Sequence, residues 1–246
     1  MRALSSIVIP DIWERGYGQP MYRRALFVLA AASPEMSIES LEKLSIGSRD
    51  ARLLKVHELT FGPELIGTTR CMCCNGSIEI KVTTFELFEG TDNQDQKKEI
   101  FRMQAGDYKI TFRLPCTKDL EETDKSSTGK TMRSYLFNRC IASAVRGETV
   151  IDPKVLPVSV TNSVIAEIAR RDALSDMHFS SVCRNCGNKW IAPFDIVSFL
   201  WSEIEARAIR LMQEVNQLAS VYGWNEREIL SLSPLRRNMY LNIVSL

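Results

Sequence analysis

With 246 residues, 45% of them hydrophobic and 25% charged, the chain can bury a core of its own, which excludes wholesale disorder and a small disulfide-stapled scaffold. Its 31 basic and 30 acidic residues leave a formal charge of +1, so no global field draws a polyanion and nucleic acid is not the default partner. The odd count of seven cysteines argues against a fully paired disulfide framework, and no stretch approaches the roughly 18 apolar residues of a membrane span.

The N-terminal MRALSSIVIPDIWERGYGQP carries only a short apolar run, Ile7 to Ile9, which Pro10 and Asp11 interrupt; a secretory signal needs a longer one. A cytosolic setting is expected, where thiols stay reduced and C-x-x-C pairs favour metal over disulfide. Residues 1–66 read as a helical region. Pro20 opens MYRRALFVLAAA, in which Tyr22, Ala25, Leu26, Leu29 and Ala30 form one stripe. The short SIESLEKL follows, and Ser48 is placed as the cap of RDARLLKVHELTFG, with Ala51, Leu54, Val56 and Leu59 as its apolar positions, ending at Gly62 and Pro63.

From 67 to 114 the period becomes that of strands: Ile78, Ile80 and Val82 alternate with Glu79, Lys81 and Thr83, and Tyr108, Ile110 and Phe112 repeat the pattern. EGTDNQDQKKE, residues 89–99, lacks apolar side chains and reads as an exposed loop. Residues 115–175 are expected to be an inserted helical body: TKDLEETDK, then KTMRSYLFNRCIASAV as one helix up to Gly147, then VTNSVIAEIARRDA with Val160, Val164, Ile165 and Ile168 on one side. Residues 176–194 return to strands, HFSSVC and NKWIAPF. Residues 195–246 form C-terminal helices. Asp195 caps a long one whose seam is Phe199, Leu200, Ile204, Leu211, Val215 and Leu218. Asn225 with Glu228 makes a capping box, and Ser233 before Pro234 starts a final helix through Leu235, Met239, Leu241 and Val244.

The chemistry sits where the strands turn. CMCC at 71–74 and CRNC at 183–186 share one spacing, and each is followed by residues suited to left-handed backbone: Asn75 and Gly76, Gly187 and Asn188. One such pair binds zinc poorly and serves as well as a redox couple; two pairs complete a tetrahedral set. Cys71, Cys74, Cys183 and Cys186 are therefore the expected ligands of one structural Zn2+, in a zinc ribbon split by the 108 residues from 75 to 182. The bland alternatives are four buried thiols without metal and a site that has lost its metal and survives as packing. Cys73 also neighbours Cys71, but the spacing match favours Cys74, and strand alternation turns Cys73 away. Cys116 and Cys140 read as small core residues. A closed shell of four thiolates leaves no coordination position to activate water, so catalysis does not follow from the metal.

Little else suggests a reaction. His57 lies within a helix and His178 at a strand entry, each read as an ordinary residue rather than a general base. GKT at 129–131 lacks the glycine spacing of a phosphate loop. Arg236 and Arg237 read as a solvated face. Trp190, Phe194, Phe199, Trp201, Tyr222, Trp224 and Tyr240 concentrate in the last third, where they fill a core or anchor a partner. Two rival functions stay open: a nucleic-acid-binding zinc-ribbon regulator using Arg70, Lys81, Arg184 and Lys189, and a thiol oxidoreductase using Cys183 and Cys186.

The ordered series WERG (13–16), RALFVLAAA (24–32), IGSRDARLLKV (46–56), FG (61–62), the first knuckle, FRLPCTKDL (112–120), CRNCGNKW (183–190), FDIVSFLWSEIEARAIRLMQEV (194–215), YGWNEREIL (222–230) and SPLRRNMYL (233–241) resembles the T-even-type phage baseplate protein family. Its members are also called baseplate hub assembly chaperones, and they occur in contractile phage tails and bacterial contractile injection systems. The resemblance implies a non-enzymatic assembly factor or structural component of a baseplate hub. Its partners would be hub or tail-tube-associated proteins, with no nucleic acid, membrane or small-molecule substrate. It would be made in the bacterial cytoplasm, that of the host if phage-encoded, and incorporation in the assembled particle is left open. Many relatives carry proline after the first cysteine and glycine after the second; Met72 and Asn75 stand there in this chain. The expected fold is α+β, mostly helical, with a central split four-cysteine zinc ribbon of short antiparallel strands and a C-terminal helical bundle. The final two helices and the long helix before them are the expected binding surface.

Overall fold

A 27-residue helix, α9 (Ile196–Tyr222), is the spine around which the N- and C-terminal helices gather. Asp195 caps it as expected, its carboxylate accepting the Val197 N–H at 3.0 Å and the Ser198 hydroxyl at 2.5 Å. Leu200, Ile204, Leu211 and Leu218 form its buried seam, while Phe199 and Val215 pack at the margin of the core. Against this seam lie α1 (Val8–Gly16), α2 (Met21–Ala32), α4 (Ile46–Phe61), α10 (Glu226–Ser231) and α11 (Pro234–Val244), with the short α3 (Ile38–Glu42) beside α2. Leu26, Leu29, Leu53, Leu54 and Ile204 share one apolar cluster there. The computed structural model describes residues 1–88, 100–125 and 132–244; the expected loop at 89–99 and the GKT at 129–131 lie outside the described residues.

Pro10, which ends the apolar run Ile7 to Ile9, sits in the first turn of α1, where proline is tolerated, and Ile9 and Ile12 are buried. The cap of α4 is Ser45 rather than Ser48: Ser45 Oγ accepts the Ser48 N–H at 3.1 Å and donates to Asp172 Oδ1 at 2.7 Å. Asp172 also accepts the Gly47 N–H at 3.0 Å. A carboxylate from a distant part of the chain therefore draws the helix start three residues upstream.

Between the two cysteine turns lies a second apolar cluster. Strands β3 (Phe101–Ala105), β4 (Tyr108–Phe112), β5 (Ile141–Arg146) and β6 (Thr149–Val150) form an antiparallel sheet in that order. Helix α8 (Val158–Arg171) lays Val160 and Val164 in the cluster with Phe101, Ile110, Phe112, Ile141 and Ala144. The expected helix over KTMRSYLFNRCIASAV is thus only partly correct. Helix α7 (Met132–Cys140) stops at Cys140, and IASAVR becomes β5, with Ile141 opposite Phe112 and Ala144 opposite Ile110. The alanines favour helix locally, but the open edge of β4 offers both hydrogen bonds and an apolar face, which outweighs propensity.

Helix α6 (Thr117–Lys125) and α7 are tied to the end of β4 by Asp119, whose side chain is 1% exposed. It accepts from Arg113 at 2.6 and 2.7 Å, from Arg139 at 2.8 Å and from the Cys116 N–H at 2.9 Å. Burial alone would raise its pKa; the two guanidinium groups and the amide overcome that and hold it well below the carboxylate range. Two hairpins complete the α+β fold: β1 (Glu64–Arg70) with β2 (Ser77–Thr83), followed by α5 (Thr84–Phe88), and β7 (His178–Val182) with β8 (Lys189–Pro193). No helix among the described residues is long and apolar enough to cross a membrane.

The C-terminal helices dock through charge. Arg236 is exposed as expected, but Arg237 is 1% exposed. Its Nε donates to Glu214 Oε2 of α9 at 2.5 Å, and its Nη2 donates to Ser6 Oγ at 3.1 Å. Among the described residues, Arg237→Ala strands a buried carboxylate whose remaining ion-pair partner is Arg207, at 3.5 Å. The expected loss in urea unfolding is about 3 kcal/mol, against less than about 0.5 kcal/mol for Arg236→Ala.

Candidate metal centre

The two hairpins belong to separate two-stranded sheets, and each places a C-x-x-C at its turn. The turns repeat one another bond for bond. Asn75 N–H donates to the Cys71 carbonyl at 2.9 Å, as Gly187 N–H does to that of Cys183 at 2.8 Å. In return Cys71 N–H reaches the Gly76 carbonyl and Cys183 N–H that of Asn188, both at 2.9 Å. The left-handed residue is Asn75 in the first turn (φ 55°) and Gly187 in the second (φ 71°). Of the four residues expected to suit that conformation, these two adopt it, because only the fifth position of the turn reverses the chain.

The sulfurs converge. Cys71 Sγ lies 3.6 Å from Cys186 Sγ, Cys74 Sγ lies 3.6 Å from Cys183 Sγ, and all four fall within 4.8 Å of one another. A tetrahedron with zinc–sulfur bonds of about 2.3 Å has sulfur–sulfur edges of about 3.8 Å, so the spacing fits a zinc-sized thiophilic cation. Cys71 and Cys183 are buried, Cys74 is half-buried and Cys186 is exposed. Cys73 points to solvent, outside the cluster.

Backbone amides aim at the sulfurs. The Cys71 thiol titrates below its usual range because the Cys74 and Cys73 amides face it, the latter at 3.4 Å. Cys74 falls to about 6, through the Gly76 amide first and the Asn185 side-chain amide second, the latter 3.6 Å from Cys74 Sγ. For Cys186 the Asn188 amide pulls downward, but desolvation and the adjoining thiols together push it to about 12. Four thiols this close resist full ionisation on their own, and a divalent cation at their centre removes the repulsion. Asn185 carried no sign of this contact in the sequence beyond its place inside the C-x-x-C.

The roots of the hairpins rest on α4 and α9. Leu65 of β1 enters the main cluster, and a ring series runs from Phe179 to Phe194 (4.9 Å between centroids), to Phe199 (5.6 Å) and to His57 (5.6 Å). His57 is an interior residue of this packing, its Nε2 2.7 Å from Glu203 Oε2. His178 faces the Asp176 carbonyl at 2.8 Å. Neither is part of the sulfur cluster. Cys140 is buried, which pushes its thiol up to about 12, and the Cys116 thiol, only half-buried, donates to Asp119 at 3.3 Å. Of the basic residues considered for nucleic acid, Lys81 is paired with Glu64 at 2.9 Å.

Among known proteins, a family model described as T4 bacteriophage base plate protein matches residues 29–201, a span that contains both cysteine turns and everything between them. No curated protein and no solved structure matches the chain.

The turn geometry makes the two left-handed positions unequal. Gly187→Ala is expected to lower stability by about 1 to 2 kcal/mol in chemical denaturation, because a Cβ at that φ meets its own carbonyl. Asn75→Gly should be neutral or slightly stabilising.

Proposed function

The chain belongs to the T4 bacteriophage base plate protein family, and we propose that within it the protein is a non-enzymatic assembly factor or component of the baseplate hub, binding hub or tail-tube-associated proteins. The family match over 29–201 carries the baseplate part of this reading. In the same reading Cys71, Cys74, Cys183 and Cys186 hold one Zn2+ that supplies no reaction. Its role is to lock two hairpins, far apart in sequence, into one rigid unit. Spacing, paired turns and amides directed at the sulfurs support that ligand set. The division that goes with this reading is a helical region at 1–66, the first knuckle and its strands at 67–114, an inserted body at 115–175, the second knuckle at 176–194 and the C-terminal helices at 195–246.

The order of side chains on α11 supports the partner surface. Its buried residue is Arg237, while Leu235, Met239 and Ile243, each four residues from the next, are 74%, 60% and 58% exposed. Nearby, Tyr222, Trp224 and Tyr240 form a ring cluster with centroids 4.7 to 5.6 Å apart. An apolar row facing outward is what a binding surface provides.

Two measurements test the reading. Native mass spectrometry of the purified chain should find one zinc per molecule, retained in Cys73→Ser and lost in Cys71→Ser or Cys183→Ser. Co-expression with the hub proteins of the same tail should give a stable complex that the double variant Leu235→Asp, Met239→Asp loses while keeping its zinc. Capture at the unaltered level would move the interface elsewhere, and failure of every hub and tube protein to bind would overturn the assembly role.

A further inference from the structure

The equivalence of the two turns pairs their residues position by position: Cys71 with Cys183, Cys74 with Cys186, and between them Cys73 with Asn185. At this third position the equivalence breaks. Cys73 is exposed and contributes its backbone N–H to Cys71 of its own turn. The Asn185 side chain instead crosses to the other turn, its Nδ2 donating to Cys74 Sγ at 3.6 Å. It is a side-chain bond between the knuckles that does not depend on a metal.

Gly76 lies against the same sulfur. A Cβ built there would lie 3.3 Å from Cys74 Sγ, 3.6 Å from Asn185 Nδ2 and 3.7 Å from Asn185 Cβ. The first contact is tighter than ordinary packing and the two to Asn185 are ordinary ones, so a side chain would push the sulfur by a few tenths of an ångström relative to the amide. One residue from each turn is therefore fitted to the same sulfur, and that sulfur is on the half-buried side of the cluster, where water competes for it.

We propose that Asn185 is the positioning residue of the metal centre: its amide holds Cys74 in the ligating orientation from the opposite knuckle, and Gly76 leaves that sulfur undisplaced. A neutral amide N–H facing a thiolate stabilises the charged form and restricts the side chain before the ion arrives. The inference rests on the zinc reading above and adds a residue that is itself no ligand.

The test uses the full zinc-loaded chain and follows transfer of zinc to a chromogenic chelator. Asn185→Ala should release zinc about tenfold faster, the low end of what loss of a ligand-orienting hydrogen bond produces. Asn185→Asp should release it faster still, because a carboxylate then faces the thiolate. Gly76→Ala should resemble Asn185→Ala, and Arg184→Ala, at the exposed neighbour, should match wild type. With Co2+ in place of zinc, the thiolate charge-transfer band should shift in the Asn185 variants and not in Arg184→Ala, a readout that general loosening of the fold would not move. Wild-type release rates in both Asn185 variants would overturn this assignment while leaving the zinc reading intact. A wild-type chain that takes up no zinc would overturn both.

Discussion

The two cysteine turns meet only because the hairpins carrying them grow from one surface, made by α4 and the first turns of α9. Leu65 anchors the first hairpin in the main cluster, and Gly67 approaches Phe199 so closely that a Cβ there would touch the ring at 3.7 Å. Phe179, Phe194 and Phe199 anchor the second. The contacts that cross between the tips, Asn185 to Cys74 and sulfur to sulfur, presuppose that common base. Without it, closing a loop of 108 residues would draw on the weak local contacts of two turns; with it, most of the ordering is already offset by burial in a shared core.

The long insertion is tolerated for a related reason. Loop-closure entropy rises only slowly with length, by about 0.6 kcal/mol per doubling. The insertion also has an apolar cluster of its own, β3 to β6 against α8, so it does not draw on the stability of the two hairpins. Buried charge then fixes how the parts dock. Asp172, at the end of α8, holds the start of α4; Asp119 joins β4 to α6 and α7; Glu214 and Arg237 join α11 to α9 and to Ser6. Such contacts favour one arrangement over near alternatives, since any slip leaves a charged group out of water and unpaired.

What the sequence made legible was what is settled locally. The two C-x-x-C turns could be matched because a knuckle is defined within six residues. The Asp195 cap and the Asn225–Glu228 capping box were readable for the same reason: donor and acceptor lie within three residues of each other. What escaped was decided at a distance. Ser45 and Ser48 are equally good caps until Asp172, 127 residues from Ser45, selects one. IASAV is an ordinary helical string until β4 presents an edge. Asn185 looks like a turn residue because its acceptor is 111 residues away. Arg237 looked solvated because nothing near it in sequence announces Glu214.

That last misreading carries a consequence for the molecule as a part in an assembly. A helix on a free-standing protein gains most by burying its leucines and exposing its arginines, since each large apolar side chain taken from water stabilises by about 1.5 to 3 kcal/mol. Helix α11 does the reverse, enclosing Arg237 and exposing Leu235, Met239 and Ile243. The arrangement gives up apolar burial within the chain and holds the helix in place with a buried ion pair, which sets its orientation more strictly than a row of leucines able to repack in several ways. The result is an apolar row left exposed on a helix of fixed orientation. Such a row is what the proposed docking of α11 on a hub protein would use.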